Sequence, residues 1–385
     1  MAASPAPQVS PAQANASARG MVLAYAQELK QQIYSATLTG VIPGQIVNIP
    51  FRNVGLIKRF VVEITATLAQ SASETLTRTN FGPSQILSNV QVTDLSNVTR
   101  VNTDGWHLHQ LATVRRGSAY GAAFSNDSPV ANGSSFGVIS APLSVTAAQT
   151  LRMFYEVPLA YSDNDLRGAV YSNVVNATGQ LSLTVNPALV APTGADPTFS
   201  AYSSSTAAAG TITGFAVTVY QVYLDQLPQA KNGQPILPVL DLSTNYYLQA
   251  TTVNGLAVGV DNPVSYSNFR EFLSTLFVYD NNGAMNSGSD LNRIKLMTAN
   301  QLALFDQDPY ALAMDVRNEI GNDMPPGVYY INHRRKPINT VQFGNMQLMV
   351  NPKTVGSATG SVLRVGYESM GLVNMVTQAG SLYGT

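Results

Sequence analysis

Phe60-Val61-Val62-Glu63-Ile64-Thr65-Ala66-Thr67-Leu68 is the stretch on which the reading of this chain turns. Phe60, Val62, Ile64, Ala66 and Leu68 alternate with Val61, Glu63, Thr65 and Thr67, the period of two that marks a strand with one buried face. The alternation recurs at Phe215, Val217 and Val219 against Ala216, Thr218 and Tyr220. It returns at Leu363, Val365 and Tyr367 against Val362, Arg364 and Glu368. The turn-forming pairs Asn132-Gly133, Asn232-Gly233 and Asn282-Gly283 punctuate these strands. Many short strands so separated predict β-sandwiches or barrels.

Helices interrupt the pattern. Asp308-Pro309 offers a capping carboxylate and a proline at the first helical position; Leu312, Val316 and Ile320 then line one face, and Gly321 closes it. A second helix is predicted over residues 106–116, with Leu108, Leu111 and Ala112 inward and Gly117 as its stop. A third is predicted over residues 17–34, where Val22, Ala26, Leu29 and Ile33 share one helical face, while Arg19, Glu28, Lys30 and Gln31 lie elsewhere around it. Such a helix packs on the body of the protein, or lies on a membrane or a neighbouring subunit. Residues 1–16 are Ala, Pro, Ser and Gln without periodicity and predict a disordered or extended arm.

A fragment repeats. Leu183-Thr184-Val185-Asn186-Pro187 is matched by Leu348-Met349-Val350-Asn351-Pro352, 165 residues further on. Each copy precedes a Gly/Ala/Ser-rich linker and an alternating strand, and each half of the chain holds one of the two later helices. Two similar β-domains in tandem are expected, joined in residues 229–238. The division expected is an arm and helix over 1–35, a first domain over 36–232, a second over 233–370 and a C-terminal arm over 371–385.

Composition points to assembly. A chain of 385 residues suits two or three domains at roughly 150 residues each. Charged residues are 11% of it, against about 25% in typical soluble domains, so Ala, Ser, Thr, Asn, Gln and Gly must cover the surface. That leaves little protection against self-association and fits a subunit packed against copies of itself. Net charge is −1, and the densest cationic run, His333-Arg334-Arg335-Lys336, is short, so direct nucleic-acid binding is not expected. With no cysteine there is no disulfide framework, in keeping with a reducing cytosol. Residues 1–18 lack the charged start and apolar centre of a secretory signal, and no apolar run approaches the ~18 residues of a membrane span. The Asn-x-Ser/Thr triplets at Asn15, Asn97, Asn126, Asn132 and Asn176 are then chance in a Ser/Thr/Asn-rich chain.

Motifs for chemistry fail on context. His107 and His109 on a helix diverge by about 200° at about 100° per residue, and no third zinc ligand stands near them in sequence. Gly133-Ser134-Ser135-Phe136-Gly137 has the spelling of a nucleophile elbow but leads into strand-like Val138-Ile139 where a helix is required. Asp280-Asn281-Asn282-Gly283 with Asp290 has the composition of a calcium loop without its ligand spacing or terminal bidentate Glu. No glycine loop ends in Lys-Ser/Thr to cradle phosphate. Neither an enzyme, a cofactor nor a metal is expected.

Several segments carry a resemblance. They are Phe81-Gly82-Pro83, Gly105-Trp106-His107-Leu108-His109, Val157-Pro158-Leu159-Ala160-Tyr161 with Asp165-Leu166, and Gly168-Ala169-Val170. Tyr223-Leu224-Asp225-Gln226-Leu227-Pro228, Ile236-Leu237-Pro238 with Asp241-Leu242-Ser243-Thr244, Gly327-Val328-Tyr329-Tyr330 and Asn351-Pro352-Lys353-Thr354-Val355 complete the set. In this order, over about residues 50–370, the chain resembles the major capsid protein of the tectiviruses, tailless bacteriophages with a membrane inside the protein shell. It departs from that family in its Ala/Pro-rich start and over residues 191–214.

The resemblance implies two tandem eight-stranded jelly-roll sandwiches, mainly β with a few short helices and an N-terminal helix, standing perpendicular to the shell. It implies a homotrimer whose six sandwiches form a pseudo-hexagonal tile of an icosahedral capsid, made in the bacterial cytoplasm. The implied partners are neighbouring trimers, vertex and minor capsid proteins, and the internal viral membrane, which separates shell from genome. On this reading Arg19, Val22, Leu29, Lys30 and Ile33 of the N-terminal helix face that membrane. The rival class is a carbohydrate-binding or carbohydrate-active β-sandwich, suggested by 18 tyrosines. It requires an aromatic-lined cleft and, for hydrolysis, two carboxylates about 5–9.5 Å apart.

Overall fold

The structure, a computed structural model, describes residues 11–38, 44–70, 73–116, 138–140, 144–174, 177–195, 199–207, 211–229, 244–266, 271–281, 284–285, 288–298, 302–321, 324, 327–344, 346–354 and 361–372. Helix α1 (Pro11–Tyr25) leads into β1 (Gln27–Leu38), β2 (Ile46–Pro50), β3 (Leu56–Ala69), β4 (Leu87–Thr93) and β5 (Thr99–Thr103). Helix α2 (Gly105–Arg116), β6 (Gln149–Pro158), β7 (Gln180–Val185) and β8 (Thr211–Asp225) complete the first half. The second half runs through β9 (Thr244–Asn254), β10 (Asn262–Ser265), β11 (Glu271–Asn281), β12 (Leu291–Thr298) and β13 (Ala303–Gln307). Helix α3 (Pro309–Ile320), β14 (Val328–Asn332), β15 (Met346–Pro352) and β16 (Ser361–Leu372) follow.

The pairing repeats. In the first half the sheets are β1-β8-β3-β6 and β2-β7-β4-β5; in the second they are β9-β16-β11-β14 and β10-β15-β12-β13. Each strand thus takes the place of the strand eight later, and a helix follows the fifth strand of each set. Two antiparallel four-stranded sheets wound in this order are a jelly roll, here present twice. The repeated pentapeptide supplies β7 and β15, which occupy matching places. Short strands Leu76–Arg78, Ser144–Val145, Val190–Ala191 and Tyr202–Ser204 form a further small sheet.

Period two explains the core. On β3 the side chains of Phe60, Val62, Ile64, Ala66 and Leu68 are fully buried and lie beside Phe215, Val217 and Val219 of the neighbouring strand β8, on the same inner face of the sheet. Each large one contributes about 1.5–3 kcal/mol relative to exposure. On β16, by contrast, the expected half-exposed alternation is absent. Leu363, Val365 and Tyr367 enter the core of the second roll, but Arg364 and Glu368 on the other face are only 1% exposed. Something covers that face, and it is the first roll.

Both later helices form where expected. Asp308 caps α3 by accepting the Tyr310 N–H at 2.8 Å, and Gly321 ends it with φ 76°. The left-handed conformation there is open to glycine at no steric cost. Gly117, the expected stop of α2, lies outside the described residues, as do all three Asn-Gly turns and the Gly133–Gly137 motif.

The N-terminal helix requires correction. The helix expected over 17–34 is α1, ending at Tyr25, and residues 27–38 are strand β1, so the first roll starts before residue 36. Leu29 and Ile33 are four apart, a spacing that puts two residues on one face of a helix and equally on one face of a strand. A hydrogen-bonded ladder with β8 along the whole of β1, from Gln27↔Asp225 to Leu38↔Phe215, decides the matter. Arg19 and Val22 therefore sit on α1, and Leu29, Lys30 and Ile33 on β1; the five share no helical face. Val22 and Ala18 are buried against Leu56, Ala160, Leu166 and Leu224 of the roll.

Candidate functional site: the seam between the rolls

The rolls meet along a seam built from both main chain and side chains. β5 of the first pairs in parallel with β9 of the second, Val101↔Leu248 and Asn102↔Gln249, so one sheet of each roll continues into the other. Helix α2 lies under β16 and is buried on every side, including Trp106, His107, His109, Gln110 and Thr113. Contact is close: a Cβ on Gly366 of β16 would stand 2.5 Å from the His107 ring. A Cβ on Gly168, at φ +86°, would meet the Tyr246 Cβ of β9 at 2.6 Å.

Two buried arginine knots tie the seam. In the first, Arg364 of β16 crosses into the first roll and donates from Nη2 to Gln85 Oε1 and to Asp104 Oδ2, each at 2.8 Å. Its guanidinium lies 4.6 Å from the Phe81 ring, 5.0 Å from Phe199 and 5.3 Å from Trp106, a cage in which ring quadrupoles favour the cation. Asp104 also opens α2, accepting the His107 N–H at 2.8 Å and contacting His107 Nδ1 at 3.0 Å. Burial alone would raise its carboxyl, but His107 and Arg364 hold it well below the usual carboxylate range.

In the second knot, Glu368 accepts from Tyr246 Oη at 2.6 Å and from Arg115, Arg334 and Ser274. Arg115 comes from α2 of the first roll. Arg334 also reaches the Tyr161 carbonyl, and Tyr161 Oη donates to the Arg334 carbonyl at 2.5 Å. Burial would raise Glu368, yet Arg115, Arg334 and the two hydroxyls outweigh it and lower its pKa to about 2. A carboxylate so filled with donors is an anchor. Three of its four donors converge on Oε1 and the fourth, Ser274 Oγ, reaches Oε2.

A cavity of about 670 Å³ opens beside this knot, lined from both rolls by residues including Arg59, Arg115, Tyr161, Glu319, Tyr330 and Arg334. The acids of its lining are each held by a donor: Glu156 by Arg59 at 3.3 Å, Asp163 by Arg59, and Glu319 by Asn332. No free carboxylate pair faces it, and the carbohydrate reading finds no support there. Among the described residues no group of three or more His, Cys, Asp or Glu could hold a metal ion. His107 and His109 are both packed inside α2's surroundings, and burial lowers His109 to about 4. Asp280 is buried on β11 and Asp290 accepts from Thr354 at 3.0 Å; Asn282 and Gly283 lie outside the described residues. Among the described residues no helix is long and apolar enough to cross a membrane.

Sequence reading missed this seam. Arg364 and Glu368 fell on the polar phase of an alternating strand, and Arg115 was not singled out. The available signal was their kind: two charges four apart, on one face of a strand, in a chain where charge is scarce.

The same double fold occurs in viral coats. The Sulfolobus Turreted Icosahedral Virus structure matches with a TM-score of 0.65 at 11% identity, covering 92% of this chain and 93% of that one. The Faustovirus major capsid protein matches with a TM-score of 0.53 at 8% identity, covering 91% of each. The fold is that of a double jelly-roll capsid subunit. Residues 12–227 match the family described as P3 major capsid protein N-terminal, and residues 243–382 the family described as P3 major capsid protein C-terminal. Major capsid protein P3 of Enterobacteria phage PRD1 is 38% identical over 374 residues, covering 96% of this chain and 94% of that one. The chain belongs to the P3 major capsid protein family.

Proposed function

We propose that three copies of the chain close into a homotrimer, and that its six rolls form a pseudo-hexagonal tile of an icosahedral shell surrounding an internal membrane. The observation that carries this reading is the tandem repetition of one eight-strand plan, fixed as a rigid pair by the seam. Two similar walls per chain give a near six-fold outline from three-fold symmetry, and such tiles pack into flat facets. Head-to-tail contacts between identical chains close into rings when the rotation per copy allows it.

The role is structural, without enzymatic activity: the buried acids of the seam are tied to arginine and hydroxyl donors that hold the two rolls together. The tile works in the virion capsid after synthesis in the bacterial cytoplasm, beside vertex and minor capsid proteins and without direct contact to nucleic acid. Helix α1, whose Val22 side is taken up by the roll, turns its remaining side and Arg19 to the membrane. One cation at an anionic surface is worth about 1 kcal/mol, so attachment depends on many copies.

Native mass spectrometry and electron microscopy of the purified chain test the reading. A stable trimer and faceted assemblies are expected, and a stable monomer would overturn it. Removal of residues 1–25 is expected to leave trimers while impairing particle assembly around membrane.

A further inference from the structure

Charge is scarce in this chain, yet it gathers in one place. Five of its 21 Lys and Arg residues, Lys58, Arg59, Arg115, Arg334 and Arg335, line the cavity of about 670 Å³ beside the seam. That volume falls within the about 300–1,000 Å³ usual for small-molecule sites. Most of these cations are committed. Lys58 and Arg59 are taken by Glu28, Glu156 and Asp163, and Arg334 by Glu368 and the Tyr161 carbonyl.

Arg115 and Arg335 differ. Both bonds of Arg115, to Glu368 and to Tyr246 Oη, leave from Nη2, and its Nε is buried with no hydrogen-bond partner. A buried donor left unmet is costly, the more so on a charged group. Arg335 is exposed, in the turn where the Lys336 N–H donates to the His333 carbonyl at 3.0 Å, and it makes no ion pair among the described residues. Two guanidinium groups with donors to spare therefore border one cavity, one from each roll. The wall also carries apolar Leu108, Leu111 and Pro158. Ala160 belongs both to this wall and to the apolar cluster that holds Val22 of α1, so the cavity lies at the α1 end of the rolls.

We propose that this cavity is an anion site that takes the phosphate of a phospholipid headgroup, with Arg115 and Arg335 as its donors and the glycerol against the apolar wall. A guanidinium presents a planar fork of donors that matches the oxygens of a phosphate. Free phosphate shares that chemistry, but the apolar wall and the place beside α1 favour the lipid. The choice of lipid rests on the internal membrane of the reading above, and it adds to Arg19 a contact that both rolls make together.

The test titrates dihexanoyl phosphatidylglycerol, kept below its micelle concentration, into the purified full chain by calorimetry, with inorganic phosphate as a second titrant. One lipid per chain is expected, bound about tenfold or more tightly than inorganic phosphate. No binding of the lipid overturns the site, and equal affinity for the two titrants assigns it to free phosphate and overturns the lipid. Arg335→Ala removes a donor, and Ser162→Trp, at an exposed position of the lining, fills space without altering charge. Each should weaken lipid binding about tenfold while leaving the melting temperature unchanged. Two variants that bind as the unsubstituted chain does overturn the proposal. Flotation on phosphatidylglycerol vesicles separates this site from the membrane reading. A chain that floats, but whose lipid binding ignores both substitutions, keeps the membrane and loses the site; one that does not float loses the membrane reading and the lipid with it.

Discussion

Arg364 of the second roll and Asp104 of the first are joined at 2.8 Å by the same carboxyl oxygen that contacts the imidazole of His107. One acid therefore starts a helix and holds the last strand of the chain against it. The residues are 260 apart in sequence, so this bond forms only once both rolls are in place.

Removing that acid should be costly. Asp104→Ala leaves a guanidinium buried without its countercharge, and breaking a buried pair from one side typically costs about 3–5 kcal/mol. Chemical denaturation of the variant is expected to show such a loss; a loss under about 1 kcal/mol would mean that Arg364 is neutralised elsewhere.

Gly366→Ala is expected to destabilise by about 1–3 kcal/mol, the usual range for added volume in a full core, because the new Cβ lands on the His107 ring. His107→Ala in the same chain should recover part of that loss by vacating the space the new Cβ needs. If thermal melting of the double variant lies below that of both singles, the clash is not the cause.

Acid should weaken the protein in two stages. Burial lowers His109 to about 4 from its ordinary value of 6.5, so the folded state binds fewer protons than the unfolded one between these limits. Its contribution is whole above about pH 6.5 and falls away as pH drops to about 4, by up to about 3 kcal/mol. Glu368 and Asp104, both depressed, contribute stability that is whole above the ordinary carboxylate range and lost as pH falls from about 4.5 towards 2 and below. Melting temperatures taken from pH 8 to pH 3 should trace both limbs, and His109→Gln should flatten the upper one alone.

Asp308→Ala removes the acceptor for the Tyr310 N–H at the start of α3 and should cost about 1 kcal/mol. Because Tyr310 at the start of α3 is 58% exposed while Trp106 at the start of α2 is fully buried, the same change should be milder than Asp104→Ala. Equal losses from the two, measured by denaturation, would contradict the different roles given to these caps.

Local pattern told most of the fold. The rows on β3 and β8 read directly as strands, and α3 announced itself through Asp308, Pro309 and Gly321. The boundary between α1 and β1 could not be read, because Val22, Ala26, Leu29 and Ile33 satisfy the helix period and Leu29 with Ile33 satisfies the strand period too. Only the ladder with β8, almost two hundred positions away, separates them. The seam was hidden for a related reason. Arg364 and Glu368 occupy the polar phase of an alternating strand, which normally means water; here another roll has taken water's place. Burial of that kind is a tertiary fact with no local signature.

The parallel pairing of β5 with β9 has a mechanical consequence. A closed container under internal pressure stretches its wall sideways, and a load applied to one roll passes into the other through peptide hydrogen bonds at Val101 and Leu248. The guanidinium of Arg364 lies on the same route, gripped in the opposite body. Under such a pull the chain yields as one plank, and the first joint to open is expected between molecules and not within one.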